Sequence, residues 1–151
     1  RVGGLEKSYG DGQVSYNPEN HEQMTKLRYG KVDAISADIP LAKPFGDDAG
    51  QILVLGWGST YGAIRSAVEI ARDEGLKVSH LHLRHINPFP SNLGEVLVKF
   101  KHILIPELNM GQLAMLIRAK YLVETVGLNK VQGKPMTLHE VYNKITEMLE
   151  I

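Results

Sequence analysis

The second two-thirds of the chain alternate short apolar runs with segments that are apolar at helical spacing. Gln51–Leu55 and His102–Ile105 are apolar almost throughout, which predicts strands covered on both faces. Lys77–Leu83 predicts a further strand, and Asn129–Gln132 a weaker fourth one. Because strands and helices alternate over short connections, the pattern predicts right-handed βαβ units and therefore an α/β fold with a mostly parallel sheet.

Four helices are predicted around these strands. Tyr61–Glu74 has apolar residues at i, i+3, i+4 and i+7, and Gly75 follows as a C-terminal stop. Asn92–Phe100 opens with a capping-box-like pair, an asparagine and an acid three residues later. Gly111–Thr125 is apolar around most of its circumference, which predicts a buried helix. A full capping box that begins at Thr137 predicts the last helix.

Residues 1–50 contain fewer long apolar stretches than the rest of the chain. Two short extended pieces are predicted around the turn signal Gly10–Gly12. Asn17 and the proline after it predict the start of a helix whose apolar stripe is thin, as in a connecting helix that packs on one side only. Ser36–Gly50 predicts a linker. We therefore divide the chain into an N-terminal connecting segment of hairpin-like stretch, helix and linker (residues 1–50) and an α/β domain (residues 51–151).

Composition and charge argue against several classes of protein function. Lys and Arg together number 17 and so do Asp and Glu, so the neutral chain has no general electrostatic reason to bind nucleic acid or an anionic membrane. No cysteine is present, which excludes a disulfide framework and any thiolate or iron–sulfur ligand within this chain. The longest apolar runs are far shorter than a membrane span. Because the chain begins at Arg1 without a methionine, we expect a fragment of a longer protein.

Polar residues follow each of the three strong strands, where ligands and partners usually meet a parallel sheet. Residues 56–62, GWGSTYG, provide glycines for a sharp turn and Ser59 or Thr60 as a cap for the following helix. The free N–H groups of that helix end could also hold an anion. The segment fits neither common nucleotide-binding motif. We favour a tight, capped turn; a phosphate or carboxylate site and a partner-contact loop remain alternatives.

The second strand ends in a basic stretch. His80, His82 and Arg84 share one face of the strand, but His-x-His alone lacks the third ligand that a zinc site needs. Arg84 and His85 could bind a carboxylate or phosphate of a partner or cofactor. The alternative is a set of polar residues at a strand end that are hydrogen-bonded or partly solvated.

The third strand is followed by a carboxylate and two amides. Glu107 could act as a catalytic acid, or Asn109 could cap the long helix while Glu107 pairs with a neighbouring loop; we favour the second interpretation. We expect the three strand-end loops to lie side by side, with Arg84 or a backbone N–H as the donor to Glu107. We assign no catalytic residue and no metal ligand. The candidate interface or anion-binding residues are Gly56, Gly58, Ser59, Thr60, Arg84, His85, Asn87, Glu107, Asn109 and Gln112.

Three stretches together resemble the C-terminal part of alpha subunits of 2-oxoglutarate:ferredoxin oxidoreductases, which belong to the 2-oxoacid:ferredoxin oxidoreductases. They read GWGSTYG, LHLRHINPFPSNLGEVL and PELNMGQLAMLIRAKYLVETVGLNKVQGKP. The N-terminal stretch GLEKSYGDGQVSYNPENHEQMTKLRYGKV resembles the segment that joins this module to the preceding thiamine-diphosphate pyrimidine-type domain. The resemblance implies a three-layer α/β fold similar to the transketolase C-terminal domain. It implies a cytoplasmic parent enzyme that makes succinyl-coenzyme A and uses thiamine diphosphate, magnesium and an iron–sulfur cluster. The implied partners are the upstream alpha-subunit domains, the beta subunit and, through the complex, ferredoxin.

Two functions compete at this point. The resemblance implies a domain that binds no cofactor itself and serves assembly and active-site architecture, so the isolated chain would be inactive. The alternative is a phosphate- or coenzyme A-binding α/β module, in which residues 56–60 and Arg84 hold the phosphate. A free-standing small enzyme is the third reading, and the absence of a self-contained catalytic constellation counts against it.

Overall fold

The structure is a computed structural model, and it describes residues 5–149. The chain starts with a two-stranded antiparallel hairpin, β1 (Glu6–Lys7) and β2 (Val14–Ser15), which confirms the two extended pieces around the glycine-rich turn. The predicted segments also include residues 1–4 and 150–151, which lie outside the described range. Helix α1 (Pro18–Asp33) follows, and a short 3-10 turn (Ala34–Ala37) ends it.

The α/β body is built on a parallel sheet, as predicted, and its four strands lie in the order β4-β3-β5-β6. Their bounds are β3 (Gly50–Trp57), β4 (Val78–Leu83), β5 (Phe100–Glu107) and β6 (Val126–Asn129). The fourth strand lies three residues earlier than the predicted Asn129–Gln132. Its pairing begins at Val126 because Val126 and Leu128 pack against the core, so the alternation that positions the strand lies in these residues.

Helices cover both faces of this sheet and complete the three layers. Their bounds are α2 (Tyr61–Asp73), α3 (Leu93–Leu97), α4 (Gln112–Tyr121) and α5 (Leu138–Leu149). One core cluster joins α2 and α5 to one face of the sheet, and the other joins α3 and α4 to the opposite face. The capping box of α5 forms as predicted: the Thr137 backbone N–H donates to Glu140 at 2.8 Å, and the Glu140 N–H donates back to the threonine hydroxyl at 3.3 Å.

Two helix predictions were wrong. Helix α3 begins after Asn92 but ends at Leu97, because the chain enters strand β5 at Phe100. The Asn92 side chain also does not cap the helix: its oxygen accepts the Ala42 N–H at 2.7 Å and its amide donates to the Ala42 carbonyl at 2.9 Å. Helix α4 ends at Tyr121, before Leu122 in a left-handed conformation, and buries only Leu113 and Ile117. Met115 and Leu116 of this helix are exposed, so apolar residues around most of its circumference do not mean that the whole helix is buried.

The linker predicted at Ser36–Gly50 lies along the outer edge of β4. The Phe45 and His80 backbones exchange two hydrogen bonds, at 2.7 and 2.9 Å. The Asp47 N–H bonds the Ser79 hydroxyl at 2.9 Å. These bonds protect part of an otherwise open sheet edge. None of the helices within residues 5–149 is both long and apolar enough to cross a membrane.

Candidate functional site

The loops after β3 and β5 meet at the carboxyl edge of the sheet. Near the end of β3, Gly56 allows the strand to pack closely against helix α2, since a Cβ at that position would lie 2.5 Å from Ile64 Cδ1. The chain then turns so that the Trp57 indole N–H donates to Glu107 Oε1 at 3.2 Å. Residues 50 positions apart in sequence are thereby joined across two strand ends.

Glu107 is the centre of this edge. Its side chain is fully buried, and its carboxylate accepts the backbone N–H groups of Leu113 at 2.8 Å and Ala114 at 3.1 Å. The Asn109 amide and the Trp57 indole each donate to the same carboxylate at 3.2 Å. A negative group at this point also interacts favourably with the N-terminal end of the α4 dipole.

The prediction that Glu107 accepts a hydrogen bond from a neighbouring loop is met by the Trp57 indole, which was not among the predicted donors. The backbone N–H donors, Leu113 and Ala114, belong to the helix that follows Glu107 in the chain. Arg84, the other predicted donor, makes no hydrogen bond to it within the described residues. The indole donor was missed, because a single tryptophan in a glycine-rich turn is no sequence signal for a bond to a strand far along the chain. The only available signal was that Trp57 and Glu107 both end neighbouring parallel strands.

Asn109 is not the cap residue expected from the sequence, because helix α4 begins at Gln112 with Gly111 at the cap position; Asn109 instead bonds the turn that leads into the helix. Its side-chain oxygen accepts the Gly111 N–H at 2.8 Å and the Gln112 N–H at 2.9 Å. Gly111, at φ 93°, supplies the left-handed residue that turns the chain into the helix. Asn109 and Glu107 thus satisfy four backbone N–H groups at or beside the helix start, which leaves little of this helix end for an external anion.

The predicted cap of α2 was wrong. The Thr60 hydroxyl donates backward to the Trp57 carbonyl at 2.8 Å, and no side-chain cap of the helix forms at this residue. Gly58, Ser59 and Thr60 form a 3-10 turn instead. This turn and the β5 loop enclose a small cavity of about 280 Å³, lined by Trp57, Gly58, Ser59, Thr60, Leu108 and Asn109.

The third candidate loop lies apart from this cavity. Arg84, His85 and Asn87 are exposed. Arg84 and His85 line a separate cavity of about 250 Å³ against residues 39–43 of the linker. The predicted grouping of all three loops is thus met only by the loops after β3 and β5. The reason is that β4 is an edge strand, so the loop after it packs against the linker.

The two strand histidines lie on the α2 side of β4, with the Tyr61 ring 5.6 Å from His80 and 5.0 Å from His82. Burial, with the positive charges of His82 and Arg65 as smaller causes, lowers the pKa of His80 to about 3. Burial also lowers the pKa of His82, with Arg84 as the next cause. His80 Nε2 and His82 Nδ1 have no hydrogen-bond partner within the described residues. Among residues 5–149, no group of three or more His, Cys, Asp or Glu side chains is placed to hold a metal.

Comparison with known proteins points to one family. Residues 50–141 match the family model described as pyruvate:ferredoxin oxidoreductase core domain II. The chain is 47% identical over 142 residues to 2-oxoglutarate oxidoreductase subunit KorA of Mycobacterium tuberculosis, covering 93% of this chain and 21% of that protein. It is 31% identical to the alpha subunit of 2-oxoacid:ferredoxin oxidoreductase 2 of Aeropyrum pernix, covering 92% and 23%. The chain therefore spans about a fifth of the length of these relatives.

Solved structures give the same picture. The chain is similar to a 2-oxoglutarate:ferredoxin oxidoreductase from Magnetococcus marinus with 2-oxoglutarate, coenzyme A and succinyl-CoA bound, at a TM-score of 0.88 and 27% identity, covering 95% of this chain and 26% of that one. It is also similar to a split-gene transketolase, at a TM-score of 0.55 and 13% identity, covering 72% and 41%. The second likeness concerns the fold alone and confirms the expected transketolase C-terminal-like α/β architecture.

Proposed function

The chain belongs to the pyruvate:ferredoxin oxidoreductase core domain II family, and we propose that it is this domain in the alpha subunit of a thiamine-dependent 2-oxoglutarate:ferredoxin oxidoreductase. The parent enzyme would make succinyl-coenzyme A and pass electrons to ferredoxin. The relative named for 2-oxoglutarate that is 47% identical supports this choice of 2-oxoacid. The proposed partners are the upstream domains of the same subunit, the beta subunit and, through the complex, ferredoxin.

Within that enzyme we propose that the domain serves assembly and active-site architecture. The burial of Glu107 is the observation that carries this role. It is the one carboxylate at the strand-end edge that the sequence offered as a catalytic acid, and its two oxygens accept four N–H groups of its own chain. A fully buried group with these partners cannot reach a substrate unless α4 and the β3 loop move away.

The residues of this chain do not fit the cofactors proposed for the parent. Without cysteine it has no thiolate for an iron–sulfur cluster. Residues 5–149 also lack the grouped acidic side chains that a magnesium diphosphate site would use. We therefore propose that thiamine diphosphate, magnesium and the iron–sulfur cluster are held by other parts of the parent enzyme.

The alternative is a module that binds a phosphate such as that of coenzyme A. This alternative has support from the M. marinus relative, which is described with coenzyme A bound. However, residues 57–60 and Arg84 line two separate cavities, so a single phosphate would not be held by both in this arrangement. We propose instead that the exposed strand-end residues Arg84, His85 and Asn87 form part of a contact surface in the parent.

A turnover assay and a titration of the chain separate the two functions. Purified chain is mixed with thiamine diphosphate, 2-oxoglutarate, coenzyme A and a viologen acceptor, and we expect no viologen reduction above background. Coenzyme A is then titrated into the chain by calorimetry. A dissociation constant in the micromolar range, on the order of −8 kcal/mol of binding free energy, would favour the alternative, and turnover by the chain would overturn the architectural role.

A further inference from the structure

Helix α1 stands out because its own chain covers so little of it. None of its 16 residues, all within the described range, is buried, although most helices in proteins depend on packing an apolar face. Its attachment to the hairpin lies on one side. Arg28 donates two hydrogen bonds to the Glu6 carboxylate at 3.0 and 2.8 Å, and Asn20 donates to the Lys7 carbonyl at 2.8 Å. The Arg28 guanidinium accordingly lowers the pKa of Glu6 to about 2.

The far side of the helix from this attachment is a continuous open surface, which we call the outer face of α1. Its residues recur at the three- and four-residue steps that keep them on one side of a helix. No residue of the described chain outside α1 lines this face. The outer face consists of Glu19, Glu22, Gln23, Lys26, Leu27, Gly30 and Lys31.

The charges on the outer face are ordered along the helix. Glu22 and Lys26 form an ion pair with each other within the helix, so the charges of this face that are left for another chain are Glu19 near the N-terminus and Lys31 near the C-terminus. A surface with this order is complementary to itself when a second helix runs antiparallel to it. With a two-fold axis opposite residue 25, residue n faces residue 50 − n of the other copy, so Glu19 faces Lys31 twice and the two Leu27 side chains flank the axis.

Gly30 adds an independent reason for close approach by another chain. Glycine is the poorest helix former after proline, so a glycine in the last turns of an exposed helix weakens it. A Cβ built at Gly30 would meet nothing within 4 Å, so packing within its own fold does not require the glycine. A helix lying on the outer face would pass close to this position, where the missing side chain lets two backbones come together.

We propose that the outer face of α1 binds the same face of a second copy of this chain as an antiparallel helix pair. The helix is about 24 Å long, which makes the interface small and the association weak. Raising the ionic strength should weaken it further, since the Glu19–Lys31 contacts are exposed and therefore screened.

The test is analytical ultracentrifugation of the chain from about 10 μM to about 1 mM, over which a weak dimer passes from dissociated to associated. We expect a monomer–dimer equilibrium. Glu19→Lys alone or Lys31→Glu alone should raise the dissociation constant about tenfold or more, because each places two like-charged pairs across the axis. The double variant should recover most of the wild-type affinity. An equimolar mixture of the two single variants should form heterodimers, since every cross-axis pair is then attractive.

The double variant distinguishes the interface from a simple loss of helix. Glu19 and Lys31 lie about 18 Å apart along the helix, too far to interact within one chain. Both substitutions also oppose the helix dipole, so an effect on α1 alone would make the double variant worse than either single one. The controls are Glu124→Lys and Lys134→Glu, the same charge changes at exposed positions outside α1, and neither should alter association. A wild-type chain that stays monomeric over the whole range, or a double variant that fails to recover, overturns the proposal.

Discussion

The indole of Trp57 and the carboxylate of Glu107 are joined by a hydrogen bond of 3.2 Å between the ends of two neighbouring parallel strands. Glu107 in turn accepts the backbone N–H groups of Leu113 and Ala114, so the bond links the turn after β3 to the start of α4. The carboxyl edge of the sheet is consequently held together by groups of this chain. An edge of this kind suits a domain that presents a fixed surface to its neighbours.

Glu107→Ala should lower the free energy of unfolding by about 3 kcal/mol, because it leaves several buried donors without an acceptor. Glu107→Gln keeps one oxygen acceptor and the side-chain volume, so it should cost less. Urea denaturation of the two variants and the wild-type chain measures this order. Equal unfolding free energies in all three would show that the carboxylate does not support the edge.

Trp57→Phe should cost about 1 kcal/mol, since it removes the indole donor but keeps an aromatic ring in place. Trp57 is the only tryptophan in the chain, so its fluorescence reports directly on this bond. We expect Glu107→Gln to shift the emission of Trp57 in the folded protein. Asn143→Asp, a comparable amide–carboxyl change on α5, serves as the control and should leave the emission unchanged.

The buried His80 should make the chain less stable in mild acid. The pKa of His80 is about 3 in the folded protein and 6.5 in the unfolded chain. Between pH 3 and pH 6.5, therefore, His80 is protonated in the unfolded state and neutral in the folded state. Stability is therefore full above pH 6.5 and falls as the pH decreases, by at most about 1.4 kcal/mol per pH unit from this residue.

Denaturation of wild type and His80→Gln across this pH window measures the effect. The variant should lose the His80 contribution to the slope, while His139→Gln on the exposed side of α5 should keep it. Because the pKa of His82 is also lowered, a smaller slope should remain in His80→Gln. An unchanged slope in that variant would mean that His80 is not the group responsible.

Hydrogen exchange should separate the N-terminal segment from the sheet. We expect faster exchange across residues 5–16 and 36–50 than across Gln51–Leu55 or His102–Ile105, because the central strands are covered on both faces. Within the linker, the Ala42 and Phe45 amides should exchange more slowly than their neighbours, since both are hydrogen-bonded to the body. Equal protection of the linker and the central strands would contradict the proposed division at residue 50.

Interactions within a single helix could be predicted from the sequence, whereas hydrogen bonds between residues far apart in the chain could not. The hydrophobic period of α2 and the capping box of α5 act within one helix, and both were confirmed. Two hydrogen bonds join residues 50 positions apart, Asn92 to Ala42 and Trp57 to Glu107, and no local sequence pattern indicates either of them. The bonds to Ala42 also take the Asn92 side chain away from its expected role as the cap of α3.

Helix α4 shows a second limit. Apolar residues around its circumference predicted burial, but Met115 is 64% exposed and Leu116 44%. An apolar sequence pattern indicates which surfaces are buried against another element. It does not indicate whether that element belongs to the same domain or to another one. In a chain that spans about a fifth of the relatives it resembles, such surfaces are consistent with contacts made by the rest of a larger protein.

The most direct test of the architectural role is Glu107→Ala in the complete parent enzyme, with subunit association and the specific activity of the assembled complex measured on the same preparations. We predict weaker association and nearly unchanged specific activity in the complex that does assemble, because the buried Glu107 carboxylate is bonded to groups of its own chain and joins the β3 and β5 loops. Normal association together with a loss of turnover of about 10³-fold or more, the scale of losing an essential catalytic group, would contradict this account and make Glu107 a catalytic residue.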